Sequence, residues 1–509
     1  MKRKWFRALL RRRFIVIVLL LVQIAFFICS LFLGSQISET IRIVLKVISF
    51  VAILNVISKK DKGAYKTMWV LLILIFPVFG GLLYLIVNLQ SSTKKFNEKV
   101  AVTEAKAKKC YAENSLISAA KEIPQASTQI NYLQNFAGFP VFDKSSAEFL
   151  PSGERKLESL VNELEKAEKY IFLEYFIIEE GIMWNSVLDV LKRKVAEGVK
   201  VRIIYDDIGC FFLLPKDYCR QLEKYGIECT VFNPFRPMLT VVQNNRDHRK
   251  IAVIDGKTAF TGGINLADEY INAVEKHGHW SDSAIMVKGE AAWSFTLMFL
   301  RMWELCTGID EDYKAYYPWK NTLCNTESDG FIQPYSDSPM DTENVGEHVY
   351  LHIINNAKKY VYIITPYLII DDSMLSALTL AAKSGIDVRI ITPHIWDKFF
   401  VHMTTRSYYR ELIKSGVKIY EYTNGFIHSK IFVSDDITAT VGTTNLDFRS
   451  LYLHFECGAQ LHNCKAVSDI KEDYLKTLQD CQKITEADCE NNIVVRLFQD
   501  VLRLLAPLM

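Results

Sequence analysis

The chain has 509 residues, 50% of them hydrophobic and 23% charged, with a formal net charge of +2 at pH 7. This excludes a disordered or fibrous chain and leaves core for about three domains. The near-neutral balance gives no global basic signature for nucleic acid.

Residues 1–13 carry Lys2, Arg3, Lys4, Arg7, Arg11, Arg12 and Arg13 and no acid. The apolar run Phe14–Leu33 that follows has the length of a bilayer-spanning helix and exceeds the core of a cleavable signal. Further apolar runs cover Ile41–Ile57 and Met68–Val87, the last loosened by Pro77, Gly80 and Gly81. Residues 1–90 are therefore expected to form a membrane anchor of two or three transmembrane helices. Basic residues at 1–13 and in Lys59–Lys66 predict a multi-pass membrane protein with its remaining chain on the cytoplasmic side.

Residues 91–152 read as a linker: a Lys-, Glu- and Ala-rich helix to 122, then an irregular connector. From residue 153 helices alternate with apolar, β-branched strands, such as Tyr170–Ile178, Val199–Tyr205 and Glu228–Phe232. That order predicts an α/β fold with mixed sheets covered on both faces by helices. The pattern then repeats. AEKYIFLEY at 167–175 returns as AKKYVYIIT at 357–365, GVKVRII at 198–204 as GIDVRII at 385–391, and YCRQLEKYGIECT at 218–230 as YYRELIKSGVKIY at 408–420. Three matches in one order indicate duplication. Two homologous units related by a pseudo-two-fold are expected, at 153–325 and 331–509. The final segment, Val494–Met509, has apolar residues at helical spacing, suited to packing on the second unit or touching lipid.

Each unit ends in H-x-K-x4-D: His248, Lys250 and Asp255 in HRKIAVID, and His428, Lys430 and Asp435 in HSKIFVSD. A glycine turn follows each, then Asn265 and Asn445, both 17 residues after their histidine. One H-x-K is a common surface pairing; two copies with a matched asparagine are not. In a strand, residues i and i+2 share a face, so each histidine and its lysine look into one site. The lysines and asparagines supply donors for phosphoryl oxygens. One imidazole can attack phosphorus while the other protonates the leaving oxygen and later deprotonates the acceptor. The site would form where the two halves face each other.

Asp282 and Glu456 are candidates to orient the imidazoles, although they follow their asparagines by 17 and 11 residues, which weakens a strict equivalence. Glu174, in the apolar strand, is a further cleft candidate, with Tyr367 a wall in the second half. The lysines make a metal unnecessary, no phosphate-binding GxxxxGK[ST] loop is present, and none of the eleven cysteines forms a CxxC pair. No cofactor or metal is expected, and nothing in the cysteine spacing demands disulfides.

The paired motifs resemble the phospholipase D superfamily. Within it the chain is similar to bacterial cardiolipin synthases of the phospholipase D type, through FPVFGGLLY at 76–84, HRKIAVIDG at 248–256, TGGINLADEY at 261–270, Trp280–Asp282 and GTTNLDFRS at 442–450. The resemblance implies phosphatidyl transfer between two phosphatidylglycerols, giving cardiolipin and glycerol through a phosphohistidine. It implies His248 as nucleophile and His428 as general acid and base. Lys250, Lys430, Asn265 and Asn445 would bind phosphate, and Asp255 and Asp435, grouped by the motif with the catalytic histidines and lysines, would support structure more than attack. The implied partners are phosphatidylglycerol, other anionic phospholipids and the bacterial membrane, with no nucleic acid. A membrane phospholipase D or other phosphatidyltransferase is the nearest alternative; a nuclease and a non-catalytic scaffold are weaker ones.

Overall fold

The computed structural model describes residues 17–25, 28, 35–60, 62–88, 91–111, 119, 121–235, 241–320, 324–341 and 343–508. By contacts the chain divides into a smaller unit (1–98, 235–245 and 503–509) and a larger one (99–234 and 246–502).

The smaller unit contains helices Ser35–Ser58, Gly63–Ile75 and Pro77–Asn88. Ala52, Val56, Ile73 and Tyr84 pack together, and the Tyr84 hydroxyl donates to Asn55 Oδ1 at 2.6 Å. Gln23 Oε1 accepts from the backbone N–H groups of Val78 and Phe79, filling the open N-terminus of the third helix. The expected transmembrane anchor is corrected here. Among the described residues no helix is long and apolar enough to cross a membrane. The run Met68–Val87 breaks at Phe76–Pro77 into helices of 13 and 12 residues. At 1.5 Å per residue each reaches roughly 20 Å, short of a hydrocarbon core of about 30 Å. The helix over the second run carries Glu39, Arg42 and Lys46 in its first half, leaving only Val47–Ser58 free of charge. Half of Phe14–Leu33 falls outside the described residues. The multi-pass, cell-membrane placement built on these spans loses its basis with them.

The larger unit holds two sheets of matching strand order. The first runs β1 (Ser145–Leu150), β9 (Ala284–Gly289), β7 (Thr258–Gly262), β6 (Lys250–Ile254), β2 (Tyr170–Tyr175), β3 (Lys200–Asp206) and β4 (Glu228–Phe232). The second runs β10 (Phe331–Asp337), β17 (His454–His462), β16 (Thr438–Gly442), β15 (Ile431–Ser434), β11 (Tyr360–Ile364), β12 (Asp387–Pro393) and β13 (Lys418–Tyr422), with β18 (Cys481–Ile484) added at its edge. Pairing is parallel from β2 to β4 and from β11 to β13, and antiparallel elsewhere. This is the expected mixed architecture. Residues 145–150 correct the irregular connector: they form edge strand β1, antiparallel to β9. Their sequence, SSAEFL, does not alternate cleanly, and burial falls on Ser145, Phe149 and Leu150.

Two short pairings cross between the halves and place the site. β5 (Arg246–Asp247) runs parallel to the start of β17, with Arg246 opposite His454 and Asp247 opposite Phe455. β14 (Gly425–Ile427) runs parallel to β8 (His279–Ser281), with Phe426 opposite Trp280. The residue after β5 and the residue after β14 are the two motif histidines. The His248 N–H donates to the Phe455 carbonyl at 3.0 Å, and the His428 N–H to the Ser281 carbonyl at 2.7 Å.

At the other end of β6, Asp255 adopts φ 52° and its carboxylate accepts from the backbone N–H groups of Glu168, Lys169 and Tyr170. Asp435, at φ 57°, does the same for Lys358, Lys359 and Tyr360. The left-handed backbone is one that aspartate tolerates better than most residues. Each aspartate thus closes a helix-to-strand turn, about 16 Å of strand away from its lysine. The catalytic grouping of Asp255 and Asp435 with the histidines is corrected on this point: neither reaches the reacting end.

Candidate active site

The crossed strands give each imidazole a carboxylate from the opposite half. His248 Nδ1 lies 2.9 and 3.1 Å from the two oxygens of Glu456, and His428 Nδ1 lies 2.7 Å from Asp282 Oδ2. Both carboxylates are fully buried. Their unequal sequence offsets conceal an equivalence of register. Gly262 pairs with Ala284 and Gly442 with Gly458, so Asp282 and Glu456 each stand two residues before the partner of the glycine. The six extra residues of the first half are taken up between Asn265 and Asp282.

The surroundings of the carboxylates differ. The Thr443 hydroxyl donates to Glu456. At the matching position stands Gly263, where a Cβ would come within 2.0 Å of Asp282 Oδ1. The shorter Asp282 occupies that space and accepts from the Ser283 N–H at 2.8 Å.

Lys250 Nζ donates to the carbonyl of His248 at 2.5 Å, and Lys430 Nζ to that of His428. His248 also feels the charges of Lys430 and His428, so the two His-Lys sets gather in one place. Asn265 is engaged: its Oδ1 accepts from the Ile177 N–H and its Nδ2 donates to the Tyr270 hydroxyl. Asn445 Oδ1 is buried without a hydrogen-bond partner.

Burial sets the protonation states, because low dielectric disfavours charge. It pushes His428 down to about 4, with Lys430 adding to the effect, and His248 well below its ordinary value, with Lys250 adding. It lowers Lys250 to about 8 and Lys430 to about 7. Burial lifts Glu456 to about 8 despite the opposing charge of Lys250. Burial also acts upward on Asp282, but His428 and Lys430 outweigh it and hold that carboxyl below its usual range. The site thus carries muted positive charge that an anionic phosphodiester would restore by raising the lysines and the imidazoles.

Glu174 stands apart from the imidazoles. It pairs in register with Ile251, so it shares a face with Arg249, opposite to that of His248 and Lys250. There it lies 2.5 Å from Arg249 Nη2, while Arg249 Nε donates to Asp247 Oδ1 at 3.1 Å. Tyr367 packs against Phe426, whose ring is 5.9 Å from His428, and its hydroxyl donates to Asp397.

Sequence reasoning missed four contributors. His454 stacks obliquely on His248 with ring centres 5.5 Å apart, and neither of its ring nitrogens has a hydrogen-bond partner. Thr443 braces Glu456. Lys156, buried and lowered to about 7, donates to the Ile264 carbonyl at 2.8 Å, and Tyr350 does the same to Thr444 at 2.6 Å. Both hold the residue just before a motif asparagine. Donor atoms of His248, His454 and Glu456 lie within 4.8 Å of one another, a spacing that a divalent cation could use. Such a cation would face Lys250 and compete for the carboxylate that holds His248, so the set suits an anion better.

A family model described as the cardiolipin synthase, phospholipase D-like domain matches residues 160–303 and 350–478. A cardiolipin synthase of Alkalihalophilus pseudofirmus is 35% identical over 491 residues, 95% of this chain and 97% of the relative. The chain belongs to the cardiolipin synthase family of the phospholipase D superfamily. A second family model, the phospholipase D-nuclease N-terminal region, matches residues 47–87. An uncharacterised protein of Streptococcus mutans is 44% identical over 445 residues, covering 87% of this chain and 96% of its own. Among solved structures, the phosphatidylserine synthase of Haemophilus influenzae superposes with a TM-score of 0.56 at 15% identity, over 73% of this chain and 97% of its own, and so shares the fold. Membership in this family makes the chain one of a catalytic class of phospholipase D-type phosphatidyltransferases. It also gives the two motif copies their family context.

Proposed function

We propose that the protein transfers a phosphatidyl group from one phosphatidylglycerol to another, releasing glycerol and forming cardiolipin. The observation that carries this reading is the reciprocal pairing of His248 with Glu456 and His428 with Asp282 around both lysines. A carboxyl oxygen accepting from Nδ1–H leaves the Nε2 lone pair free to attack.

In the first step His248 Nε2 bonds to phosphorus as the bond to the headgroup glycerol breaks. His428, its proton affinity raised by the bound phosphodiester, gives that oxygen a proton, and free glycerol leaves. In the second step neutral His428 takes the proton of the primary hydroxyl on another phosphatidylglycerol. The oxygen attacks phosphorus, the phosphorus–nitrogen bond breaks, and cardiolipin forms. Lys250 and Lys430 stabilise the charge on the equatorial oxygens. One phosphodiester replaces another, so no nucleotide is consumed.

Incubating the purified protein with phosphatidylglycerol alone tests the proposal. Cardiolipin and glycerol in equal amounts are expected; phosphatidic acid as the sole lipid product would make the protein a hydrolase instead. Quenching in denaturing detergent at alkaline pH during turnover of a phosphorus-labelled donor is expected to leave acid-labile label on His248, and label on His428 would reverse the two roles.

A further inference from the structure

Each half carries a group of exposed hydrophobic side chains just after an equivalent strand. After β3 come Ile208, Phe211 and Phe212, which are 41, 50 and 92% exposed. After β12 come Trp396, Phe399 and Phe400, at 47, 46 and 58%. Both strands end on the reacting side of their sheets. Tyr175 of β2 stands between Tyr205 of β3 and Lys250, and Ile364 of β11 stands between Ile391 of β12 and Ile431, the neighbour of Lys430.

Each group is also linked to the imidazole of its own half. In the first, Cys210 Sγ lies 3.6 Å from the Phe176 carbonyl, and the Phe176 ring is 5.0 Å from that of His248. In the second, Lys398 Nζ donates to the Tyr367 hydroxyl at 3.4 Å, and Tyr367 and Phe426 lead to His428. The duplicated fold therefore repeats a hydrophobic pad on both sides of one reacting centre.

We propose that these two pads dock the enzyme on the surface of a phospholipid aggregate, their rings entering the layer between headgroups and acyl chains. This rests on the phosphatidyl-transfer reading and adds to it the route by which substrate arrives. Contact of this kind is superficial and needs no spanning helix. Aromatic rings favour that layer, and exposed apolar patches of this kind mark lipid or protein contacts. The position of the pads selects lipid. A protein seated on both would cover the reacting end between them, whereas a lipid surface there presents the substrate to it.

The test compares wild type with the double variant Phe212→Ser, Phe399→Ser, whose two positions are solvent-facing and whose thermal unfolding is checked to match. Burying one phenylalanine side chain is worth roughly ten- to a hundredfold in partitioning. Sedimentation with vesicles of long-chain phosphatidylglycerol and phosphatidylcholine is expected to weaken by at least about tenfold. Turnover of vesicle substrate should fall in parallel, while turnover of short-chain phosphatidylglycerol below its micelle concentration stays within about twofold. Unchanged sedimentation, or equal losses on both substrate forms, would overturn the docking role. If wild type converts neither form, the transfer reading fails, and sedimentation alone then decides whether the pads bind lipid.

Discussion

Around His428 the neighbouring rings are Trp280, Tyr270 and Phe426; around His248 they are Phe176 and His454. Trp280 and His454 hold the same register, each two residues before the orienting carboxylate. One half therefore offers an indole where the other offers an imidazole that makes no hydrogen bond and whose Nδ1 lies 3.8 Å from Glu456. The same holds for Gly263 against Thr443 and for Lys156 against Tyr350. Backbone pairing fixes where each histidine stands, and the side chains at matched positions then make the two sides unequal. Symmetry here belongs to the scaffold, while the chemistry is divided.

The largest expected effect tests whether both sides are needed. His248→Ala and His428→Ala should each lower turnover by about 10³-fold or more. A variant that keeps near-normal turnover would show that one side works alone. Asp282→Asn should cost about 10³-fold, because His428 would lose the ionised partner that fixes its tautomer, and Glu456→Gln less, about 10²-fold. Equal losses would mean that the difference in carboxylate state does not matter to the reaction.

Exchanging the braces sharpens the comparison further. In Gly263→Thr the new Cβ meets the Asp282 carboxylate, so turnover should fall roughly a hundredfold. Thr443→Gly removes a hydroxyl that touches Glu456, with an expected loss nearer tenfold.

Stability should respond to acid. The folded value of His428, about 4, lies below its ordinary value of 6.5. Between the two the unfolded chain binds a proton that the folded chain refuses, so stability falls as pH falls through that window. The loss is roughly 3 kcal/mol. Urea midpoints measured across the window should flatten in His428→Gln; an unchanged slope would assign it to other groups.

The smallest effects fall on the supporting aspartates. Asp255→Ala and Asp435→Ala should each cost about 1–3 kcal/mol in urea unfolding, by freeing three backbone N–H groups and straining a left-handed residue. Low-temperature turnover should stay close to normal, and a loss as deep as that of the histidine variants would return these aspartates to the reacting centre.

The duplicated α/β order and both His-Lys pairs were legible in the sequence because they repeat, and because a two-residue spacing has one meaning in a strand. The equivalence of Asp282 and Glu456 was hidden by a longer excursion in the first half. The crossed pairs join residues 208 and 146 apart in the chain, and Thr443 reaches Glu456 across 13 residues by hairpin register; periodicity is blind to both. Glu174 shows as a carboxylate in an apolar strand, but not which face it takes; its register with Ile251 sends it to Arg249. The apolar N-terminal runs were read by length, and the break at Pro77 together with the charges on Ser35–Ser58 decided their helices.

The exchange of β5 and β14 between halves has a consequence for ancestry and for dissection. A lone half would own a nucleophile without its orienting acid, so cutting the polypeptide between the halves should yield two inert fragments that regain function only on reassembly. The same reciprocity would let two identical copies complete each other about a dyad. Fusion of such copies into one chain would release each from copying the other, which is how an indole and an imidazole could come to occupy matching posts.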